Sequence, residues 1–261
     1  MSNYILEHAS EFERLEKQSQ NKYYDYESEL SDFLPKIESN ILDAGCGSGV
    51  VSRFLARKFP HSKFTGCDAS DIRVMQAARF AGPIENLNFQ REDLTRLSFE
   101  RATFDHVILR YVAQHQGKED LKKIFSELNR VLKVGGTIHV VDADGFLFNL
   151  FPINSELGAH LEKLKKSENV DFEIGRKIPS MLMSAGFNGV QWGVETCSFS
   201  GNDLVQEKQQ MKDRFSLATR FFETLFGSSE QAQRFFDSYL ESMDQPGAVL
   251  FFNKFVVSAV K

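Results

Sequence analysis

A chain of 261 residues with 42% hydrophobic residues is long enough to bury a substantial core as one large domain, which excludes a disordered polypeptide or a small disulfide-stapled scaffold. Its 31 Lys and Arg against 36 Asp and Glu leave a net charge of −5, the wrong sign for a protein held mainly by nucleic-acid phosphates, so no nucleic-acid partner is expected. Cys46, Cys67 and Cys197 are scattered without zinc-site spacing, and no secretion-type or 18-residue apolar run occurs, so a metal-free, cytoplasmic protein with no membrane partner is expected.

The stretch from about residue 40 to 142 alternates two apolar periods. Ile41-Leu42 predicts a short buried strand ending at Asp43 and a glycine loop. Val50, Val51, Phe54, Leu55 and Phe59 then recur at helical spacing up to Pro60. A second strand is predicted over Lys63 to Cys67. It is followed by a helix capped by Ser70 or Asp71, with a stripe of Ile72, Met75, Ala78 and Arg79, ended by Gly82-Pro83. Strands over Leu87 to Gln90 and Phe104 to Leu109 follow. The clearest helix carries Leu121, Ile124, Phe125, Leu128, Val131 and Leu132 on one face. Gly135-Gly136 is expected to stop it before a strand over Thr137 to Val141. Such alternation implies parallel strands joined by right-handed crossovers, with ligands bound outside the carboxyl ends of the strands.

Three additions decorate this core. Residues 1 to about 38 are polar and Glu-rich and read as a helical leader interrupted by Tyr23, Tyr24 and Tyr26. The segment from Phe146 to Gly186 reads as an apolar loop and two helical stretches. Strand-like Val190 to Phe199 and Val249 to Val257 are separated by about 50 residues, with Phe215, Phe221, Phe222, Phe226, Phe235, Phe236 and Tyr239 at the spacing of a packed helical pair. A hairpin would have joined these two strands, so the excess points to a lid over the ligand edge.

Asp43-Ala44-Gly45-Cys46-Gly47-Ser48-Gly49 joins a strand to a helix, where a ligand is expected. Val50 stands where the dinucleotide fingerprint needs glycine, and the Lys-Ser/Thr pair of the Walker pattern is absent. Asp43, Asp68 and the pair Glu92-Asp93 follow the first three strands, and such a row of carboxylates repels a pyrophosphate. A cation-bearing nucleoside with a ribose diol and an adenine amine suits it, and S-adenosyl-L-methionine has all three.

The run Ile-Leu-Asp-Ala-Gly-Cys-Gly-Ser-Gly at 41 to 49 resembles the first motif of the class I S-adenosylmethionine-dependent methyltransferases. The resemblance continues in order through Phe-Thr-Gly-Cys-Asp-Ala-Ser at 64 to 70, Arg-Glu-Asp-Leu at 91 to 94, Phe-Asp-His-Val-Ile at 104 to 108 and Arg-Val-Leu-Lys-Val-Gly-Gly-Thr at 130 to 137. A looser echo lies at Ser184-Ala185-Gly186-Phe187. The leader, with Tyr4, Glu11, Arg14-Leu15 and Gln18, and the run Arg110-Tyr111-Val112-Ala113-Gln114-His115 are similar to features of a small-molecule branch of that family.

The resemblance implies an α/β fold, a doubly wound, mostly parallel seven-stranded Rossmann-like sheet with a helical leader and a helical insertion before the last strand. It divides the single domain into a cap (1–38), a core (39–200 and 246–261) and an insertion (201–245). It implies that Gly45, Cys46 and Gly47 pass close to the methionine part of the cofactor, with Asp43 near its amino group. Asp68 takes both ribose hydroxyls, and Asp93, with Glu92 beside it, takes the adenine amine. Leu94 meets the ring through its backbone and Ala69 lies on its face. Arg110 and Tyr111, with Arg14 and Gln18 of the leader, close over the amino-acid end.

The reaction implied is direct methyl displacement onto a small, largely apolar acceptor, with S-adenosyl-L-homocysteine as product. His115 is the candidate general base, although a lone His at a helix entrance is more often structural. Asp142 and Asp144 are weighed equally as substrate-positioning groups and as ordinary turn residues. Cys46 and Cys67 read as small fillers without thiol chemistry. A protein or RNA methyltransferase and a non-catalytic cofactor-binding module stay open as alternatives.

Overall fold

The computed structural model describes residues 11–19, 22–30, 38–167 and 170–261, and within them the alternating periods become one mixed sheet. The strands are β1 (Asn40–Ala44), β2 (Lys63–Asp68), β3 (Leu87–Arg91), β4 (Phe104–Arg110), β5 (Leu132–Asp144), the two-residue β6 (Leu150–Phe151), β7 (Asn188–Phe199) and β8 (Val249–Val260). The order runs β3-β2-β1-β4-β5-β8-β7, and β6 extends the β5 side beside the start of β8. The five strands from β3 to β5 are mutually parallel, and β8 is antiparallel to each of its neighbours. The expected seven-stranded order is therefore present, with β6 as one short addition.

The helices are α1 (Glu11–Gln18), α2 (Tyr26–Glu29), α3 (Val50–Lys58), α4 (Asp71–Ala81), α5 (Lys118–Val131), α6 (Ser155–Lys165), α7 (Ile178–Ser184), α8 (Gly201–Leu217), α9 (Thr219–Phe226) and α10 (Ser229–Met243). Strand pleating divides the core. Ile41, Phe64 and Ile108 face α3, whereas Leu42, Ala44, Val107 and Leu109 join Leu121, Ile124, Phe125 and Leu128 of α5. A third cluster unites the insertion helices with Cys197, Phe199, Leu250 and Phe252 of the last two long strands.

Three expectations need correction. In α4 the predicted stripe points outward: Met75 is 65% exposed, while the buried face is Arg73, Ala77 and Ala81. At Ala77 the approach is close enough to favour a small residue, since an added Cβ at Gly49 would sit 3.1 Å from Ala77 Cβ and 2.6 Å from the Phe89 ring. The α5 helix ends at Val131, before the paired glycines, because Leu132 is already extended and pairs with Phe104. Gly135-Gly136 instead lie within β5, in the stretch where its register against β4 shifts between Phe104 and His106. The insertion is three helices, broken at Ala218, where the packed pair was expected. In the leader, α1 and α2 flank a 3-10 turn at Lys22–Tyr24, and Tyr4 lies outside the described residues.

Candidate functional site

A cavity of about 900 Å³ opens at the carboxyl ends of β1 to β4. Its wall includes Asp43, Gly45, Cys46, Gly47, Asp68, Ala69, Glu92, Asp93, Leu94, Arg110, Tyr111 and His115 from the sheet side, and Arg14 and Gln18 from α1. The parallel strand order thus gathers residues that the sequence spreads over a hundred positions.

The glycine loop is shaped from behind. The amides of Gly45 and Cys46 both donate to the Cys67 carbonyl, at 2.7 and 2.8 Å, and the Gly47 amide donates to Asp68 Oδ2 at 3.1 Å. These three donors are thereby turned onto β2 and are not offered to a phosphate. Gly45 has φ +74, and a Cβ there would lie 2.4 Å from Val112 Cγ2, so both conformation and space require glycine.

The carboxylates differ in what they leave available. Asp43 is buried, its Oδ2 accepts a short bond from the Ser52 hydroxyl, and burial raises its pKa to about 6. Asp68 accepts from the amides of Gly47 and Ser70 and lies 3.6 Å from Arg73 Nη1. A carboxylate has about four acceptor positions, so two remain for a ligand. Asp93 uses Oδ1 for the Thr95 amide and hydroxyl, and these bonds, led by the hydroxyl, hold its carboxyl below the usual range. Glu92 accepts from the Ser98 amide at 2.8 Å, the Ser98 hydroxyl and Gln90 Nε2. It braces its own loop and leaves little acceptor capacity for a cofactor.

The guanidinium groups carry carboxylate partners from the leader. Arg14 bonds both oxygens of Glu11 and reaches Gln18. Arg110 donates to Glu29, whose other oxygen meets the buried Lys254 at 2.9 Å, and Lys254 also pairs with Glu195. Glu29 therefore ties the leader to β4 and β8 at once. His115 is pushed down to about 3, chiefly by burial and then by Arg14 and Arg73, so it is a neutral imidazole and a weak proton acceptor.

Asp142 and Asp144 do not line the cavity. Asp142 accepts from the amides of Ala143 and Gln114 and is raised to about 7 by burial. Asp144 is clasped by Arg176. Both secure the loops around β5, so the substrate-positioning reading is withdrawn.

Away from the acidic rim, the cavity passes under the insertion. Met211, Phe215, Ala218 and Phe222 roof it, facing Phe146, Leu147, Phe172 and Phe252. Sequence reasoning missed Tyr24 and Arg214 in this wall. Arg214 had a usable signal: with Met211, Phe215 and Ala218 at −3, +1 and +4, it is a charge placed on an apolar helical face.

A parallel α/β sheet with this strand order, its reversed strand beside β5, and acidic strand ends around a glycine loop define a Rossmann-like methyltransferase fold. Residues 41–136 match the family described as a methyltransferase domain. The chain is 32% identical over 168 residues to a malonyl-[acyl-carrier protein] O-methyltransferase of Herminiimonas arsenicoxydans, covering 64% of this chain and 59% of that protein. It is 34% identical over 110 residues to a sterol 24-C-methyltransferase of Neurospora crassa, covering 41% and 28% respectively. The chain thus spans 59% or less of the length of these curated relatives. A phosphoethanolamine N-methyltransferase of Haemonchus contortus, solved with S-adenosyl-L-methionine, superposes with a TM-score of 0.59 at 17% identity, covering 97% of this chain and 57% of that one. Among the described residues, no helix is long and apolar enough to cross a membrane.

Proposed function

We propose that the chain is an enzyme that transfers a methyl group from S-adenosyl-L-methionine to a small, largely apolar acceptor by direct displacement. The observation that carries this reading is the pairing, in one cavity, of an acidic rim without a phosphate cradle and an apolar chamber roofed by the insertion. The cofactor supplies a sulfonium-activated methyl group.

The residues present fit that group. Asp43 is a buried carboxylate whose pKa is raised by desolvation, only partly offset by the Ser52 hydroxyl and Arg110, and a ligand ammonium would favour its ionised form. The two remaining acceptor positions of Asp68 match the two hydroxyls of a ribose. Asp93 would take the adenine amine through its second oxygen, with Ala69 and Leu94 against the ring. Arg14, Gln18 and Arg110 would flank the amino-acid end. Glu92 and His115 are left with bracing and packing roles.

The chain's own contribution to rate is then positioning and exclusion of water, worth several orders of magnitude for a donor already activated. The roof residues Met211, Phe215 and Phe222 supply the dry wall. The insertion shares its core with Phe199 and Phe252 of the sheet, so it closes the chamber as part of the domain, and excising it would uncover that core. The names of the two relatives above, a malonyl-[acyl-carrier protein] and a sterol methyltransferase, agree with an acceptor other than a nucleic acid, although an snRNA methyltransferase of Bos taurus also matches at 28% identity over 135 residues.

Methyl-tritiated S-adenosyl-L-methionine offered with a panel of small apolar acids, alcohols and amines tests the proposal. Label in an organic-extractable product supports it. Label only on RNA or protein would replace the acceptor class, and a bound cofactor that labels nothing would indicate a binding module.

A further inference from the structure

The chamber beneath the insertion contains one feature that apolar packing does not explain. Among the described residues of its wall, Arg214 is the charged side chain set among Phe146, Met211, Phe215 and Phe222, and it is 8% exposed. Its Nη1 donates to Glu207 Oε1 at 2.5 Å and its Nη2 to Gln210 Oε1 at 3.1 Å. Both partners lie earlier on α8, and neither lines the cavity. The guanidinium is therefore fixed from behind, with its carbon 5.2 Å from the Phe146 ring centroid. Two of its five donors are taken by these partners, and three remain on a group that forms part of the cavity wall.

A second, independent observation lies on the sheet side. Tyr111 lines the same cavity and packs against the insertion's apolar cluster, and its buried hydroxyl has no hydrogen-bond partner. Its backbone has φ +54, a conformation that L side chains rarely adopt and that costs of order 1–3 kcal/mol. A buried phenol left unsatisfied adds about 1–3 kcal/mol more. Neighbouring groups hold both costs in place, and a ligand oxygen would relieve the second. The Tyr24 ring lies 5.1 Å from that of Tyr111 and also lines the cavity.

We propose that this chamber is the acceptor subsite and that it takes an apolar molecule bearing one carboxylate, held by Arg214, with the Tyr111 hydroxyl donating to an oxygen of the same ligand. This rests on the methyltransferase reading for the word acceptor, but the binding chemistry stands on the chamber alone. The remaining donors of this guanidinium, set in an apolar wall, offer one carboxylate charge-assisted hydrogen bonds beside the Glu207 pair. The guanidinium of Arg14, in the same wall, is also paired, with both oxygens of Glu11 and with Gln18, and so has fewer donors left than Arg214.

The test titrates the full chain, with and without S-adenosyl-L-homocysteine, with hexanoate, decanoate and 3-phenylpropanoate and with the methyl ester of each. The wild type should bind at least one acid about tenfold or more tightly than its ester, the scale of a charge-assisted hydrogen bond. Arg214→Gln should erase the preference while ester binding stays within twofold, and Arg214→Lys should restore part of it. Glu207→Gln should keep or strengthen the preference. A purely structural ion pair would instead make the Arg214 and Glu207 variants lose binding alike. Equal binding of acids and esters, binding of none of them, or a preference that survives Arg214→Gln would overturn the proposal. Should Arg214→Gln fail to fold, the Lys and Glu207 variants carry the comparison. Failure of the wild type to bind S-adenosyl-L-homocysteine would overturn the cofactor reading separately, since the acid preference is also measured without it.

Discussion

Replacing Asp68 by alanine isolates the contact on which nucleoside binding depends. In the structure its carboxylate already accepts from the Gly47 and Ser70 amides, at 3.1 and 3.0 Å, and faces Arg73. Of about four acceptor positions two remain, one for each hydroxyl of a vicinal diol. Hydrogen bonds to a charged group contribute about 1.5–3 kcal/mol each, and water partly replaces them when the carboxylate is removed. The net loss should be about 2–4 kcal/mol, or roughly 30- to 1000-fold weaker S-adenosyl-L-homocysteine binding by calorimetry. The substitution also releases the loop amides, which would weaken binding without any ribose contact. A double-mutant cycle with the 2′-deoxy ligand separates the two effects. The wild type should lose about tenfold or more on deletion of the hydroxyl, and Asp68→Ala should lose less than twofold. If the variant penalises the deoxy ligand as heavily as the wild type does, the hydroxyl is not bound by Asp68 and the reasoning fails.

Three further outcomes are expected. Asp43 titrates near 6 in the free protein, and a ligand ammonium favours its ionised form, so cofactor affinity should fall about tenfold between pH 7.5 and 5. Asp43→Asn should flatten that profile, and an equally steep profile in the variant would assign it elsewhere. For Asp142 the folded-state pKa of about 7 lies above the unfolded value near 3.8, so the native state takes up a proton as pH falls through 7. Relative to Asp142→Asn, the wild type should therefore gain stability between pH 8 and 5, by up to about 3 kcal/mol in denaturant titrations, and a difference that does not vary with pH would contradict this. Phe146→Ala removes a half-buried wall of the chamber and should weaken binding of apolar ligands by about 1–2 kcal/mol while S-adenosyl-L-homocysteine affinity stays within twofold. Equal losses for both ligands would show that the two ends of the cavity are not separable.

The parallel half of the sheet was legible in the sequence because its signals are local. The run Ile41-Leu42, the cap at Ser70 and the α5 stripe each declare an element within a dozen residues. The acidic rim was legible for a related reason: in a strand-loop-helix unit the residue after the strand is carried to the ligand edge, so Asp43, Asp68 and Asp93 had to converge. What escaped were choices made by distant partners. The outward face of α4 depends on Gly49 and Phe89, and the early end of α5 on pairing between Leu132 and Phe104. Glu29 meets Lys254 across 225 positions, which no periodicity reports. Glu92 reads in sequence as standing beside Asp93 at the cofactor, and the loop separates them by turning Glu92 back onto Ser98. The burial beside Arg14 and Arg73 that pushes the His115 imidazole down to about 3 is likewise set by distant partners.

Competitive calorimetry on the full chain with S-adenosyl-L-methionine, S-adenosyl-L-homocysteine, ATP and NADH tests the central claim most directly. An acidic rim with the amides of Gly45, Cys46 and Gly47 bonded within the protein predicts saturable one-to-one binding of the first two and none of the phosphorylated pair. Saturable binding of ATP or NADH that displaces S-adenosyl-L-homocysteine would contradict it.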